Sequence, residues 1–172
     1  MVNFAIHLTV LVLAASVAAA PAPATFSFAQ WVEDIIANPD TALTPAEAIA
    51  AANAAEIVSS AGGLQKRANC QAAFRDAPAP DAAACLNDLA RKGGQGVACT
   101  IPSSQSDIQM CRIGRAEVVA SRGKSGTLSA NCNDVARTGG LIFDSCFRSD
   151  NTVKGSEICI TNQWMQINIA GI

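Results

Sequence analysis

The chain opens on an apolar run at residues 4–20, FAIHLTVLVLAASVAAA, which dissolves into small residues between Ala18 and Ala24. That shape predicts a secretory signal peptide over residues 1–20, because the run stands at the lower limit for spanning a bilayer and ends in a small-residue cleavage region. Beyond it the hydrophobic spacing becomes helical. From Ser27 onward Phe28, Trp31, Val32 and Ile35 fall on one face, and the helix has to stop before Asn38-Pro39, since the residue ahead of a proline is pushed out of the helical region. A second helix opens at Thr44-Pro45-Ala46-Glu47, a capping box with proline at the first helical position, and fades at Gly62-Gly63.

Downstream of those glycines, helical and strand-like periods alternate. Asp81 is placed to cap a helix running to about Lys92, with Arg91 and Lys92 at its C-terminal end and Gly93-Gly94 behind them. Val97 to Ile101 reads as a strand and residues 102–107 as a polar loop; residues 108–120 (IQMCRIGRAEVVA) read as a second strand in which Gly114 marks a bulge. After the SRGKSGT loop at 121–127, Ser129 is the expected cap of a helix in which Cys132, Val135, Ala136, Gly139, Phe143 and Cys146 recur at three- and four-residue intervals. Gly139-Gly140 lie inside that stripe, so the helix is read as continuing through them, with the glycines letting it approach a sheet closely. Residues 153–160 and 164–169 read as a hairpin across Thr161-Asn162-Gln163; Met165, Ile167 and Ile169 face one side of its last strand, Trp164, Gln166 and Asn168 the other.

The segment NDLARKGG at 87–94 reappears as NDVARTGG at 133–140, and each copy starts a helix-to-strand unit with a cysteine just before it and another shortly after. The expected fold is therefore α+β: a small disulfide-stabilised two-layer α/β sandwich with two helices on one face of an antiparallel sheet. Arg91 and Arg137, matched in the repeat, are candidates for an anion site or for helix-end charges.

Composition narrows the chemistry. Charged residues make up 15% of the chain, below the roughly 25% of ordinary soluble domains. From residue 68 onward ten Lys and Arg stand against nine Asp and Glu, and so nearly neutral a balance argues against phosphate-backbone binding, which needs a basic patch, so no nucleic-acid partner is expected. The single histidine, His7, falls in the apolar leader, which leaves the expected mature chain no imidazole for a Ser-His-Asp triad, a Cys-His pair or an HExxH zinc site. No motif names a cofactor or a catalytic residue. Carboxylate chemistry of the glycosidase type would have to draw on Asp134, Asp144, Asp150 and Glu157, which only tertiary structure can bring together.

Cys70, Cys85, Cys99, Cys111, Cys132, Cys146 and Cys159 follow one another at intervals of 12 to 21 positions, all beyond residue 67. Even spread without CxxC pairs points to a disulfide framework in an oxidising compartment and away from a metal site. One pairing is excluded, because Cys132 and Cys146 lie on one expected helix about 21 Å apart along its axis. Seven cysteines leave one over, and Cys159 is the candidate: alternation on the strand at 156–161 puts Ile158 and Ile160 on the buried face and Cys159 outward with Glu157 and Thr161. An exposed extracellular thiol oxidises, and a Cys159–Cys159 disulfide-linked dimer is one outcome.

Lys66-Arg67 follows the Gly62-Gly63 hinge and resembles the cleavage site of a kexin-type processing protease. Residues 21–67 then form a cysteine-free helical pro-segment, in which Glu33, Asp34, Asp40, Glu47 and Glu56 outweigh Lys66 and Arg67, and the mature cysteine-rich domain is 68–172, beginning at Ala68. The pro-segment helices carry an apolar stripe with no core of their own. They are expected to dock on the domain, helped weakly through salt by opposite net charge, and to serve as a removable folding aid or inhibitor.

This plan, a leader, an acidic helical pro-segment, Lys66-Arg67 and a compact disulfide domain, resembles that of fungal small secreted cysteine-rich proteins. Within the domain, the helix 132–146 bounded by cysteines, then VKGSEIC and the terminal strand WMQINIAG, is similar to the α/β-sandwich group that contains the smut killer toxin of the four-type and the necrosis-inducing effectors. The resemblance covers about residues 68–172 and is one of layout. It implies an extracellular, toxin-like effector, a virulence protein with no stable membrane span, that engages a host or competitor protein or glycan through exposed loops. Residue-by-residue roles do not carry over, because the cysteine count is odd and the chain runs 13 residues past Cys159, where a killer-type toxin closes with a cysteine near its end. The alternative is a carbohydrate-binding, lectin-like module with Trp164 as its stacking platform. A carboxylate-based hydrolase is the third class.

Overall fold

The computed structural model describes residues 26–58 and 68–172; the apolar run at 4–20 expected to be a signal peptide and the Lys66-Arg67 pair lie outside the described residues, as do Gly62-Gly63. Helix α1 (Phe28–Ala37) starts from Ser27, whose hydroxyl accepts the Gln30 amide at 3.3 Å, and buries Phe28, Trp31, Val32 and Ile35. Helix α2 (Pro45–Val58) has its capping box closed in both directions: the Glu47 carboxylate accepts the Thr44 amide at 2.8 Å and the Thr44 hydroxyl at 2.7 Å, while that hydroxyl accepts the Glu47 amide at 3.3 Å. The Thr44 amide, and then its hydroxyl, hold the Glu47 carboxyl below its ordinary range.

From Ala68 on the chain is α+β. In order come β1 (Ala77–Pro78), α3 (Ala79–Gly94), β2 (Ala98–Ile101), β3 (Asp107–Ile113), β4 (Ala116–Arg122), β5 (Leu128–Asn131), α4 (Cys132–Cys146), β6 (Thr152–Val153), β7 (Gly155–Cys159) and β8 (Asn162–Gly171). Strands β3, β4, β8 and β7 lie side by side in that order as an antiparallel sheet, and β1–β6 and β2–β5 form two short antiparallel ribbons. Helix α3 packs on β3 and β4, and α4 on β7 and β8. Between helices and sheet, Val118 stands opposite Ile169 and Ala120 opposite Ile167, all fully buried together with Met165.

Several local readings change. Residues 108–120 are not one bulged strand but the β3–β4 hairpin: Gly114 sits at φ +54°, the left-handed conformation a tight turn needs, and the irregularity in the ladder falls between Gln109 and Cys111. Helix α3 begins at Ala79, where Pro80 suits the first turn, so Asp81 is not its cap; the Asp81 carboxylate instead accepts the Arg115 amide at 2.8 Å and ties α3 to that hairpin turn. Gly93-Gly94 form the last turn of α3 and do not follow it. Asn131 caps α4, its side chain accepting the Asn133 amide at 2.8 Å, whereas Ser129 belongs to β5 with its hydroxyl 2.9 Å from that of Thr100.

Helix α4 does run through Gly139-Gly140, but the neighbours these glycines admit are helices. A Cβ on Gly139 would overlap the Leu86 side chain of α3, and one on Gly140 would stand 2.8 Å from the Cα of Ala29 in α1. The disulfides are Cys70–Cys146, Cys85–Cys111 and Cys99–Cys132. They tie the start of the domain to the end of α4, the middle of α3 to β3, and β2 to the start of α4. Such a framework fits an oxidising compartment. Among the described residues no helix is long and apolar enough to cross a membrane.

Candidate functional site

Helix α4 packs on α3 and gives further parts of its surface to β7 and to α1. Thr138, Ile142 and Cys146 face β7: the Thr138 hydroxyl accepts the Ile160 amide at 3.2 Å, and Ile142 and the Cys146 sulfur crowd the position where Gly155 lacks a side chain. Arg137, Gly140, Phe143, Asp144 and Phe147 take α1. The Phe28 ring lies 4.5 Å from that of Phe143 and 5.5 Å from that of Phe147, centre to centre, and meets Trp31 edge-on at 6.1 Å. The Trp31 indole N–H is satisfied by the Leu43 carbonyl at 2.8 Å. Burying each such side chain stabilises the docked helix by about 1.5–3 kcal/mol before its ordering is counted.

Polar contacts at both ends fix how α1 lies. The Asp144 carboxylate accepts the Phe28 amide at 2.6 Å, the Ala29 amide at 3.1 Å and the Ser27 hydroxyl at 2.7 Å, putting a negative charge on the positive end of the α1 dipole. Toward the other end the Arg137 guanidinium forks onto Glu33 at 2.6 and 3.0 Å and holds Asp134 of its own helix at 3.0 Å; Glu33 first, then Asp134, raise the Arg137 pKa above its ordinary value. Arg91 donates to the Pro39 carbonyl just after α1 at 2.5 Å and to Asn87 at 3.2 Å. The two repeat arginines therefore do not converge on one anion site; each grips the N-terminal segment. Helix α2 packs on α3 and is pinned by the Asn53 amide to Asn151 at 2.8 Å.

Cys70, Cys85, Cys99, Cys111, Cys132 and Cys146 are consumed by the bridges, and Cys159 is the remaining thiol. Its environment reverses the expected one. Cys159 is 2% exposed, while Ile158 and Ile160 are 45% and 49% exposed on the solvent side. Alternation along β7 holds, but the faces are exchanged: Glu157 pairs with Ile167 of the inner face, Ile158 with Gln166 of the outer face, and the register slips between Ile158 and Cys159. A buried sulfur is not presented to a second copy, so the premise of a Cys159–Cys159 dimer fails.

Trp164 lies on the outer face of the sheet, 44% exposed, with the Lys124 ammonium 5.3 Å from the ring centre. The four carboxylates considered for catalysis are each tied into a different contact: Asp134 to Arg137 and the Thr161 hydroxyl, Asp144 to α1, Asp150 to Thr152, and Glu157 to the Ile158 amide. A pairing not foreseen joins Asp76 and Asp150 through Arg148, at 2.5 and 3.8 Å, beside an open cavity of about 350 Å³ lined also by Arg115, Thr152 and Ile172. The Arg148 hydrogen bond holds Asp76 below the usual aspartate range, and Thr152 does the same for Asp150. Both are anions at neutral pH, and neither has the raised pKa of a general acid. Among the described residues no cluster of metal-ligating side chains forms.

What sequence reasoning missed is the docking role of Asp144 and Glu33, which join segments far apart in the chain. The legible signal was the apolar stripe of α1, which needed a surface. Against known proteins, the family model described as Domain of unknown function (DUF8794) matches residues 65–171, a span that starts at Gln65, just before the dibasic pair, and leaves α1 and α2 outside. No curated protein and no solved structure matches the chain.

Proposed function

We propose that this chain, which belongs to the DUF8794 family, is the precursor of a secreted, toxin-like effector whose disulfide domain acts by binding a target on a host or competitor cell. The observation that carries the reading is the position of α1. A helix outside the family unit lies over the apolar side of α4 and is joined to the domain by a chain that holds Lys66-Arg67. A segment that covers a face of a finished domain, and that a kexin-type protease would detach at that pair, suits an interaction protein kept closed until export. The disulfides support an extracellular working place, where small cross-linked domains serve as recognition modules.

The test is to secrete the full chain from a fungal host, treat it with a kexin-type protease, and apply cut and uncut forms to plant tissue and to competitor fungal cultures. Tissue necrosis or growth arrest from the cut form, with a mature N-terminus at Ala68, is the expected result. Inactivity of both forms on every target overturns the reading.

A second reading has its own observation in the exposed ring of Trp164, which shares the outer sheet face with Gln166 and Ile158. An aromatic side chain beside an amide is suited to stack on a sugar. Binding on a glycan array that disappears in Trp164→Ala would favour this lectin-like role.

A further inference from the structure

We propose that the α3–α4 face beneath α1 is a helix-docking groove, and that its partner is a protein presenting an amphipathic helix of the same chemistry as α1: two aromatic side chains three positions apart, an aliphatic residue one turn further on, and a flanking carboxylate. The proposal rests on the reading that the N-terminal segment is released, since α1 fills the groove in the intact chain.

The groove is built for a helix. Its floor is the backbone of Gly140, where any side chain would collide with Ala29, and its apolar wall is Phe143 and Phe147, which the Phe28 ring covers. Once α1 leaves, those rings meet water, and an apolar groove with polar ends is what a helix-in-groove partner takes. The ends also set direction. Asp144 takes the amides of a helix start and Arg137, two turns back along α4, takes a carboxylate five positions into the guest, so the guest must run antiparallel to α4. Arg137 has a second partner, Asp134, one turn back on its own helix, which helps hold the fork in place when the guest is absent. A second mature copy is disfavoured as occupant, because the unit from Ala68 on has no α1 to offer.

The probe is a fluorescein-labelled peptide of residues 25–42. It should not bind the intact full chain. It should bind the full chain carrying Phe28→Ala and Trp31→Ala, which loosens α1 without proteolysis, and also the kexin-cut chain. Gly140→Ala or Arg137→Ala in those proteins should weaken binding at least about tenfold, the usual scale for a central contact, and Trp164→Ala should leave it unchanged. Equal binding to the intact chain, or none to the Phe28→Ala/Trp31→Ala chain with its three disulfides verified by non-reducing mass, overturns the proposal. So does a dimer of the cut chain that closes the groove to peptide, which would assign the face to a second copy. Failure of the protease to cut overturns the release reading alone, because the doubly substituted full chain still decides the groove.

Discussion

Asp144 in the last turn of α4 adds an acceptor to the start of a different helix, beside its own cap Ser27, taking the Phe28 amide at 2.6 Å across 116 positions of sequence. A carboxylate there satisfies donors that a helix start leaves free and opposes the dipole of α1.

Asp144→Ala should cost about 1–2 kcal/mol of α1 docking, and Asp144→Asn less, because the amide keeps an acceptor while losing the charge. Hydrogen exchange is the measurement. The amides of Phe28–Ala37 should exchange about tenfold faster in the alanine variant, with those of β4 and β8 unchanged.

The adjacent glycines should separate when each becomes alanine. At Gly140 the added carbon meets the backbone of Ala29, which cannot yield, so α1 should detach and the emission of Trp31 should shift to the red. At Gly139 the added carbon meets Leu86 inside the domain, so stability should fall by about 1–3 kcal/mol while Trp31 stays buried. Trp164 is exposed in either case and does not confuse the readout.

Cys159 should resist alkylation in the native protein and take one equivalent of reagent once the unreduced chain is unfolded, because its sulfur is covered and its six counterparts are bridged. Mass spectrometry with and without denaturant checks this. Immediate labelling, or a disulfide-linked dimer, would contradict the inward face of β7.

Replacing Cys70 and Cys146 together by serine should lower stability by about 2–5 kcal/mol, seen as a shift of the denaturant midpoint. This bridge has the longest sequence separation, 76, and holds Asn69 in its two-way pairing with Ser156 at the edge of β7, so that pairing should loosen first.

Acid should weaken the corner around Arg148. Asp76 is held below the ordinary aspartate value of 3.8, so the folded state binds this proton at lower pH than the unfolded chain does. The contribution is present in full above that value and is lost as pH falls through the depressed one. Asp76→Asn should flatten the acid limb of the unfolding curve below about pH 4, by a small amount because the side chain is 42% exposed.

Much of the local structure was legible. Ser27 with the Phe28, Trp31, Val32 and Ile35 stripe, the Thr44–Glu47 box, and the Met165, Ile167, Ile169 alternation are short-range signals, each complete within about two turns or one strand. The candidate site was legible only in part. Arg91 and Arg137 stood out by repetition, but their partners, the Pro39 carbonyl and Glu33, belong to another segment and carry no pattern linking them to either arginine.

The pattern of residues was enough for the four helices, the terminal hairpin, the α+β class, the contrast between acidic cysteine-free helices and a cysteine-bearing stretch, and the fact that one of seven cysteines has no partner within the chain. Which cysteines meet, which side of β7 faces α4, and that Gly139 and Gly140 open α4 to two helices instead of the sheet follow from the packing of distant segments. The reason is one of symmetry and distance. A period of two says which residues share a face without saying which face is inward, and a glycine says that something approaches without saying what; both choices are made by the packing of segments that contain no information about one another until they touch.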